Sequence, residues 1–442
     1  MLKNLVLGVF VLVAIMQPPI LASGEGTEET RWVRKLGLGF NNRPHQVVPT
    51  GDGGAVVALT DDHGAIRLVK YDAAGTLEWI SGYGVRRRNE QVSIQVTDDG
   101  GYILVGRERG WDTPYDAFVA KLDMAGAVVW KERIGGDAED FARCVRQAGD
   151  GGYVMAGSTK SSGAGRRDAW LVKLTESGSI DWQWAYGGAG DDEAVAVSGM
   201  ADGGFLLAGT TKSFGAGATD VWLLRLNASG QVLWQRSYGG TGDDVPTAVE
   251  RTSDAGVVVI GYTNSFDELI TKAWVLRLGS AGGIRWQRTY GTSGQDNSLS
   301  VSETPDGRLI LWGSTDFGVV DPNAWMAKLK PNGTIAWQRS YGDEGAQRYA
   351  VGAPGPDGDY YLVAAHRSTT YPSAVLFFRV SPNGSTGPLC SPLAHNGTLV
   401  STPTATMGVT TGGTSTPGVS VIGESSASVY ALEAGLNDFC LD

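Results

Sequence analysis

Chemistry in this sequence would have to come from two sets of side chains. The first recurs: Asn42, Asn89, Asp140, Asp192, Asp244, Asp296 and Gln347 follow one another at intervals of 47 to 52 residues. Carboxylates converging from Asp140, Asp192, Asp244 and Asp296 could hold a hard cation such as Ca²⁺, which takes oxygen ligands. A polar residue present in every repeat can equally be spent on the backbone N–H groups of its own loop. The second set is irregular and basic. Arg43, Arg86, Arg87, Arg88, Arg107, Arg109, Arg166, Arg167, Arg348, His366 and Arg367 fall where the repeats differ, with Trp111 and Tyr115 adding aromatic area. Such a surface suits an anionic protein or glycan partner; the alternative is solvated arginines paired with local acids such as Asp112 and Asp116. Asp191-Asp192-Glu193, Asp243-Asp244 and Asp267-Glu268 would form an acidic sector opposite, while Phe214, Phe266 and Phe317 recur and read as loop packing.

Signatures of catalysis are missing. The four histidines, His45, His63, His366 and His395, have no metal-ligand spacing, and there is neither a phosphate-binding glycine loop followed by Lys nor a Gly-x-Ser-x-Gly elbow. An enzyme is therefore not expected, and no cofactor is implied beyond the Ca²⁺ alternative. Of three cysteines, Cys390 and Cys440 bracket the C-terminal stretch and are expected to form a disulfide. Cys144 stands where other repeats have Ser93, Ala196, Ala248, Ser300 and Val351, and reads as a small core residue.

The elements that position these residues are set by self-similarity. Trp32, Trp79, Trp130, Trp182, Trp234, Trp286 and Trp337 recur at intervals of 47 to 52 residues. Ile134, Tyr186, Tyr238, Tyr290 and Tyr341 each stand four residues after such a Trp and are followed by Gly. Two turn sets also count seven: Asp52, Asp99, Asp150, Asp202, Asp254, Asp306 and Asp357, each followed by Gly or Ala, and Gly75, Gly126, Gly178, Gly230, Gly282, Gly333 and Gly384. Within a unit the apolar period is two, as in Asp220 to Leu226, a Gly turn, then Gln231 to Tyr238, so each unit is a four-stranded antiparallel meander a-b-c-d. A sheet of this size cannot bury both faces alone. Stacked radially, seven such sheets make an all-β, seven-bladed β-propeller; a β-solenoid is the rival. The last unit lacks strand d, whereas Thr30 to Gly37 is a strand d with no a, b or c before it. Joining the two closes the ring and removes an exposed edge.

The run Asp-Gly-Gly, then Asp168 to Leu174 (Asp-Ala-Trp-Leu-Val-Lys-Leu), then Gly, Trp and Tyr-Gly-Gly resembles the repeat of exported bacterial and archaeal β-propeller proteins described as WD-like or quinoprotein-like. The resemblance covers Thr30 to about Cys390 and implies seven blades with the strand-d Trp docked between neighbours. It carries no single activity. No blade has the Gly-His and Trp-Asp pairs of true WD repeats.

Lys3, the apolar run Leu5 to Met16 and the small residues Ala22-Ser23 have the form of a secretory signal peptide over residues 1–22, an uncleaved anchor being the alternative. The propeller is then expected over 23–390, followed by a Ser/Thr/Gly-rich stretch 391–442, either a disordered tail or an appendage on the propeller. The net charge of −11 becomes about −12 without the leader, which disfavours nucleic acid and anionic membranes. The expected product is an exported monomer, periplasmic, surface-bound or secreted, with no membrane span in its mature form. Three functional classes remain: a binding or scaffold module, an adhesive surface protein, and a carbohydrate-active enzyme.

Overall fold

The computed structural model describes residues 32–37, 42–61, 63–83, 92–109, 114–266, 271–291, 296–315, 323–341, 346–355, 358–367, 374–385, 394–395, 400–403, 414–417 and 435–438. Residues 1–22, Arg86, Arg87, Arg88, Asn89, Trp111, Asp112, Asp267, Glu268, Phe317, Cys390 and Cys440 lie outside them.

Alternating apolar residues between Gly turns fold as seven antiparallel sheets. Strands a to d are Arg43–Pro49, Ala55–Thr60, Ile66–Tyr71 and Leu77–Tyr83 in blade 1, and Ser93–Val96, Tyr102–Arg109, Tyr115–Leu122 and Val128–Ile134 in blade 2. Blade 3 comprises Asp140–Gln147, Tyr153–Thr159, Asp168–Leu174 and Ile180–Gly187; blade 4, Asp192–Gly199, Phe205–Thr211, Asp220–Leu226 and Val232–Tyr238. Blade 5 comprises Asp244–Arg251, Val257–Thr263, Lys272–Leu278 and Ile284–Gly291; blade 6, Asp296–Glu303, Leu309–Thr315, Asn323–Leu329 and Ile335–Tyr341. Blade 7 has Ala346–Pro354, Tyr360–Arg367 and Ala374–Val380, and its strand d is Trp32–Gly37, which pairs antiparallel with Ala374–Val380 from Trp32 opposite Arg379 to Leu36 opposite Val375. The ring is closed as the orphan strand implies.

Strands b and c are buried along their whole length in several blades, as in Tyr153–Thr159 and Asp168–Leu174, because neighbouring blades cover both faces. The recurring aromatics form the joints. Trp79, Trp130 and Trp182 meet Tyr102, Tyr153 and Phe205 of the next blade at centroid distances of 6.1, 5.8 and 5.9 Å. The Tyr186, Tyr238, Tyr290 and Tyr341 hydroxyls donate to the Gly230, Gly282, Gly333 and Gly384 carbonyls of the next blade at 2.6 to 2.7 Å. Those glycines have positive φ, and a Cβ on Gly178 would meet the Trp130 ring at 2.9 Å. Trp-x-x-x-Tyr in one repeat and the Gly turn in the next are thus two halves of one contact.

At the end of the blades carrying the a–b turns, a cation late in strand c binds an Asp in every blade: Lys70–Asp52, Lys121–Asp99, Lys173–Asp150, Arg225–Asp202, Arg277–Asp254, Lys328–Asp306 and Arg379–Asp359. The C-terminal stretch adds a fifth outer strand to four blades. Ala394–His395 pairs with blade 6, Val400–Pro403 with blade 5, Thr414–Pro417 with blade 3, and Gly435–Asp438 with the N-terminal strand in blade 7.

Candidate functional site

The d–a and b–c loops share the other face, and their backbones are tied together. Lys160, Lys212 and Asn264 amides in b–c loops donate to the carbonyls of Glu139, Asp191 and Asp243 at 3.0, 3.0 and 3.1 Å. Asp192 and Asp244 amides donate across to the preceding blade at Arg167 and Thr219, at 2.8 and 2.7 Å. Just below, strand a carries a bulge in blades 1, 3, 4, 5 and 6, at His45, Arg143, Val195, Thr247 and Leu299, and in blade 7 the gap holds Tyr349 and Ala350. A bulge frees one residue from the ladder and re-aims its side chain, and its occupant differs in each of these blades.

In blade 3 this geometry assembles a basic aromatic cluster. The Phe141 ring has the Arg107 guanidinium at 5.6 Å and that of Arg167 at 5.7 Å, and Arg107 also lies 4.8 Å from the Tyr115 ring centroid. The bulge residue Arg143 and Arg167 both pair with Glu193. Burial would raise the Glu193 carboxyl, but Arg143 and Arg167 outweigh it and hold it below its ordinary value. Glu139 is held down by Lys160 first, then by Arg167 and Arg107. Both acids report a positive local field.

Across the ring, Arg43 covers the Tyr349 ring at 4.3 Å; Tyr349 has φ 55° and is 40% exposed. Arg348 and Arg367 are exposed nearby in blade 7, whereas His366 is buried in strand b. Burial, with Arg43 beside it, pushes the His45 pKa down to about 3, so this imidazole is neutral at physiological pH.

The irregular set is therefore divided rather than gathered. Arg107, Tyr115 and Arg167 meet in one cluster, Arg166 is exposed beside it, and His366 and Arg367 belong to the blade 7 sector. The Arg109 side chain lies outside the described residues. Asp116 ion-pairs with Arg133 at 2.5 Å instead of facing the loop arginines. The acidic sector is less exposed than its sequence suggests: Asp192 and Asp244 are wholly buried and Glu193 is engaged, leaving Asp243 exposed. Phe214 and Phe266 pack on Trp222 and Trp274 at 5.5 and 5.9 Å, as loop packing requires. Cys144 is a buried free thiol.

The repeated carboxylates work inside their loops. Asp140, Asp192 and Asp244 accept through Oδ2 from the Gly136, Gly188 and Gly240 amides at 2.7, 2.8 and 2.9 Å. The same oxygens accept from the Ser161, Ser213 and Ser265 hydroxyls at 2.7, 2.6 and 2.6 Å. Among the described residues no three or more His, Cys, Asp or Glu side chains gather as a metal-ligand group; the Asp296 side chain lies outside them. Sequence reasoning missed Phe141 and Arg143, and placed Glu193 in an acidic sector rather than between Arg143 and Arg167. Their only signal was that Phe141, Glu193 and Val245 occupy equivalent places with unrelated chemistry.

No protein-family model matches the chain, and no curated protein matches it. Among solved structures, the WD40 domain of Pan2 from Neurospora crassa is similar at 12% identity and TM-score 0.49, over 78% of this chain and 90% of that one. A periplasmic gluconolactonase from Pseudomonas aeruginosa is similar at 13% identity and TM-score 0.43, over 80% and 98%. A protein of unknown function from Dyadobacter fermentans gives 11% and 0.44, over 78% and 98%. Likenesses this distant say nothing of activity.

Proposed function

We propose that the chain is an exported, non-catalytic binding propeller that engages an anionic protein or glycan partner through the basic sector of its d–a and b–c loop face. The observation that supports this reading is the Phe141 ring set between Arg107 and Arg167, with Arg143 at the adjacent bulge. A half-buried ring flanked by guanidinium groups offers stacking area together with charge-assisted donors, a combination that selects carboxylate-bearing chains. The strands beneath are fixed by inter-blade joints, so loops here can specialise without disturbing the ring. Export rests on the Lys3 to Ser23 pattern alone.

Binding of polygalacturonate and of poly-glutamate, with neutral dextran as control, tests the reading. The acidic polymers should bind and weaken as salt rises, because exposed charges are screened. Arg107→Ser with Arg166→Ser, and separately Ser at Arg86, Arg87 and Arg88, should reduce affinity several-fold without lowering the melting temperature. Salt-insensitive binding, or affinity unchanged in both variants, would overturn it.

A further inference from the structure

Three junctions between blades bring two carboxylates face to face. In each, an Asp at the head of strand c meets the Asp at the head of the next blade's strand a, beside the glycine that follows the strand-d aromatic or Ile134. A Cβ built on Gly187 would collide with Asp168 Oδ1 and stand 2.9 Å from Asp192 Oδ2. One on Gly239 would collide with Asp220 Oδ1 and stand 2.8 Å from Asp244 Oδ2. One on Gly135 would collide with Asp116 Oδ1, and Asp140 is the like charge acting on Asp116.

These junctions differ in what compensates them. Arg133 of strand d pairs with Asp116 at 2.5 Å. Its place is taken by Ala185 in blade 3 and Ser237 in blade 4, and no ion pair among the described residues reaches Asp168, Asp192, Asp220 or Asp244. Elsewhere the pair is avoided in the sequence. Lys272 replaces the strand-c Asp in blade 5, Asn323 precedes Gln347, Ala374 precedes Asn42, and Ala65 precedes Asn89. Among the described residues, only the 3–4 and 4–5 junctions therefore hold two acids without a cationic side chain.

Their hydrogen bonding is half complete in a regular way. Asp168 and Asp220 are 1 and 2% exposed, and Asp192 and Asp244 are fully buried. Each Oδ2 is satisfied, that of Asp168 by the Gly165 amide at 3.0 Å and that of Asp220 by the Gly217 amide at 3.1 Å. Each of the four Oδ1 atoms is buried without a hydrogen-bond partner. The Gly188 and Gly190 carbonyls close on Gly165, whose amide meets Asp168, and those of Gly240 and Gly242 close on Gly217, whose amide meets Asp220. Two ionised carboxylates buried together are costly unless a positive charge joins them.

We propose that the junctions between blades 3 and 4 and between blades 4 and 5 each bind one hard divalent cation of the calcium class, ligated by Asp168 and Asp192 in the first and by Asp220 and Asp244 in the second. Carboxylate and carbonyl oxygens are the ligand set such cations take. The ion does at these joints what Arg133 does one blade earlier. The sites lie between blades rather than across the axial mouth, and they do not depend on the binding function proposed above.

Calorimetric titration of the chelator-stripped full chain with CaCl₂ or MgCl₂ alone tests this. Two equivalents of calcium should bind and raise the melting temperature, as a ligand of the native state must. Asp168→Asn, which copies blade 6, and Asp220→Asn should each leave one equivalent, and the double variant none, with its melting temperature no longer responsive to calcium. Ala185→Arg, which copies blade 2, should likewise remove one site. Absence of binding at millimolar calcium and magnesium, or two equivalents still bound by the double variant, would overturn the proposal.

Discussion

The two ends of the blades follow different rules. At the a–b turn end, one ion pair is repeated in six blades with only Lys and Arg exchanged, and in blade 7 the acid moves two residues on to Asp359; at the loop end, equivalent places hold Phe141, Glu193 and Val245. The Lys173 head shows why the first end cannot vary. It is nearly buried, donates to the Leu174 carbonyl at 3.1 Å and to Asp150 at 3.0 Å, and a Cβ on Gly152 would leave it no room. Asp-Gly-Gly is thus an acceptor, a residue for positive φ, and a gap for a lysine. At the other end a bulge releases one residue from the ladder in blades 1, 3, 4, 5 and 6, so that the identities of His45, Arg143, Val195, Thr247 and Leu299 are free to differ. Repetition marks what holds the ring, and its interruption marks what the ring presents.

Deleting residues 24–40 should have the largest effect, since it removes the strand d of blade 7 and the Trp32 indole that donates to the Ala73 carbonyl of blade 1 at 3.2 Å. Expression as aggregate is expected; a monomer of unchanged melting temperature would show that closure is dispensable. Next, Lys173→Met should cost about 1–3 kcal/mol in urea unfolding, because a buried acceptor loses its donor. Arg166→Ser, on the exposed loop face, should stay within about 0.5 kcal/mol of the parent. Equal effects from these two would erase the contrast between the ends.

Acid titration sharpens it further. Lys121, then Thr97, hold the Asp99 carboxyl down to about 2. A carboxyl depressed by folding stabilises the native state above its unfolded value near 4, and that contribution disappears as pH falls from about 4 towards 2. Asp99→Asn should lower stability at neutral pH and flatten the loss between pH 4 and 2. An identical pH profile for parent and variant would exclude the ion pair as a source of stability. The smallest effect belongs to Ala255, which has φ 60° where six other blades have Gly. Ala255→Gly should stabilise by about 0.5–1 kcal/mol through relief of left-handed strain; a loss of stability would mean that its methyl group packs usefully.

The blade count, the strand order and the closure were legible because each rests on spacing, and spacing survives translation into structure. The joint between Trp182 or Tyr186 and Gly230 was visible as two separate series, although not as a single contact. The site was less legible. Whether Asp192 faces the axis or its own loop depends on a register shift between Ala194 and Ala196 that no residue type announces. Arg167 and Glu193 are far enough apart in sequence that their pairing is set by the stagger of neighbouring blades. The carboxylate pairs were hidden for a similar reason: Asp168 belongs to one repeat and Asp192 to the next, so comparison within a repeat separates the two acids that the fold unites.

Because the strand that completes blade 7 is made before blades 1 to 6 and its partner Ala374–Val380 after them, closure has to join the two sides of everything synthesised between. Trp32–Gly37 must wait, with its hydrogen-bonding edge unsatisfied, until the remaining blades have formed. A pairing this remote in sequence carries a large loop-closure entropy and forms slowly. During that interval the half-built ring exposes a sticky seam at each end, so the time spent open, more than the depth of the final energy well, should set how much of the chain is lost to aggregation on the way to the folded state.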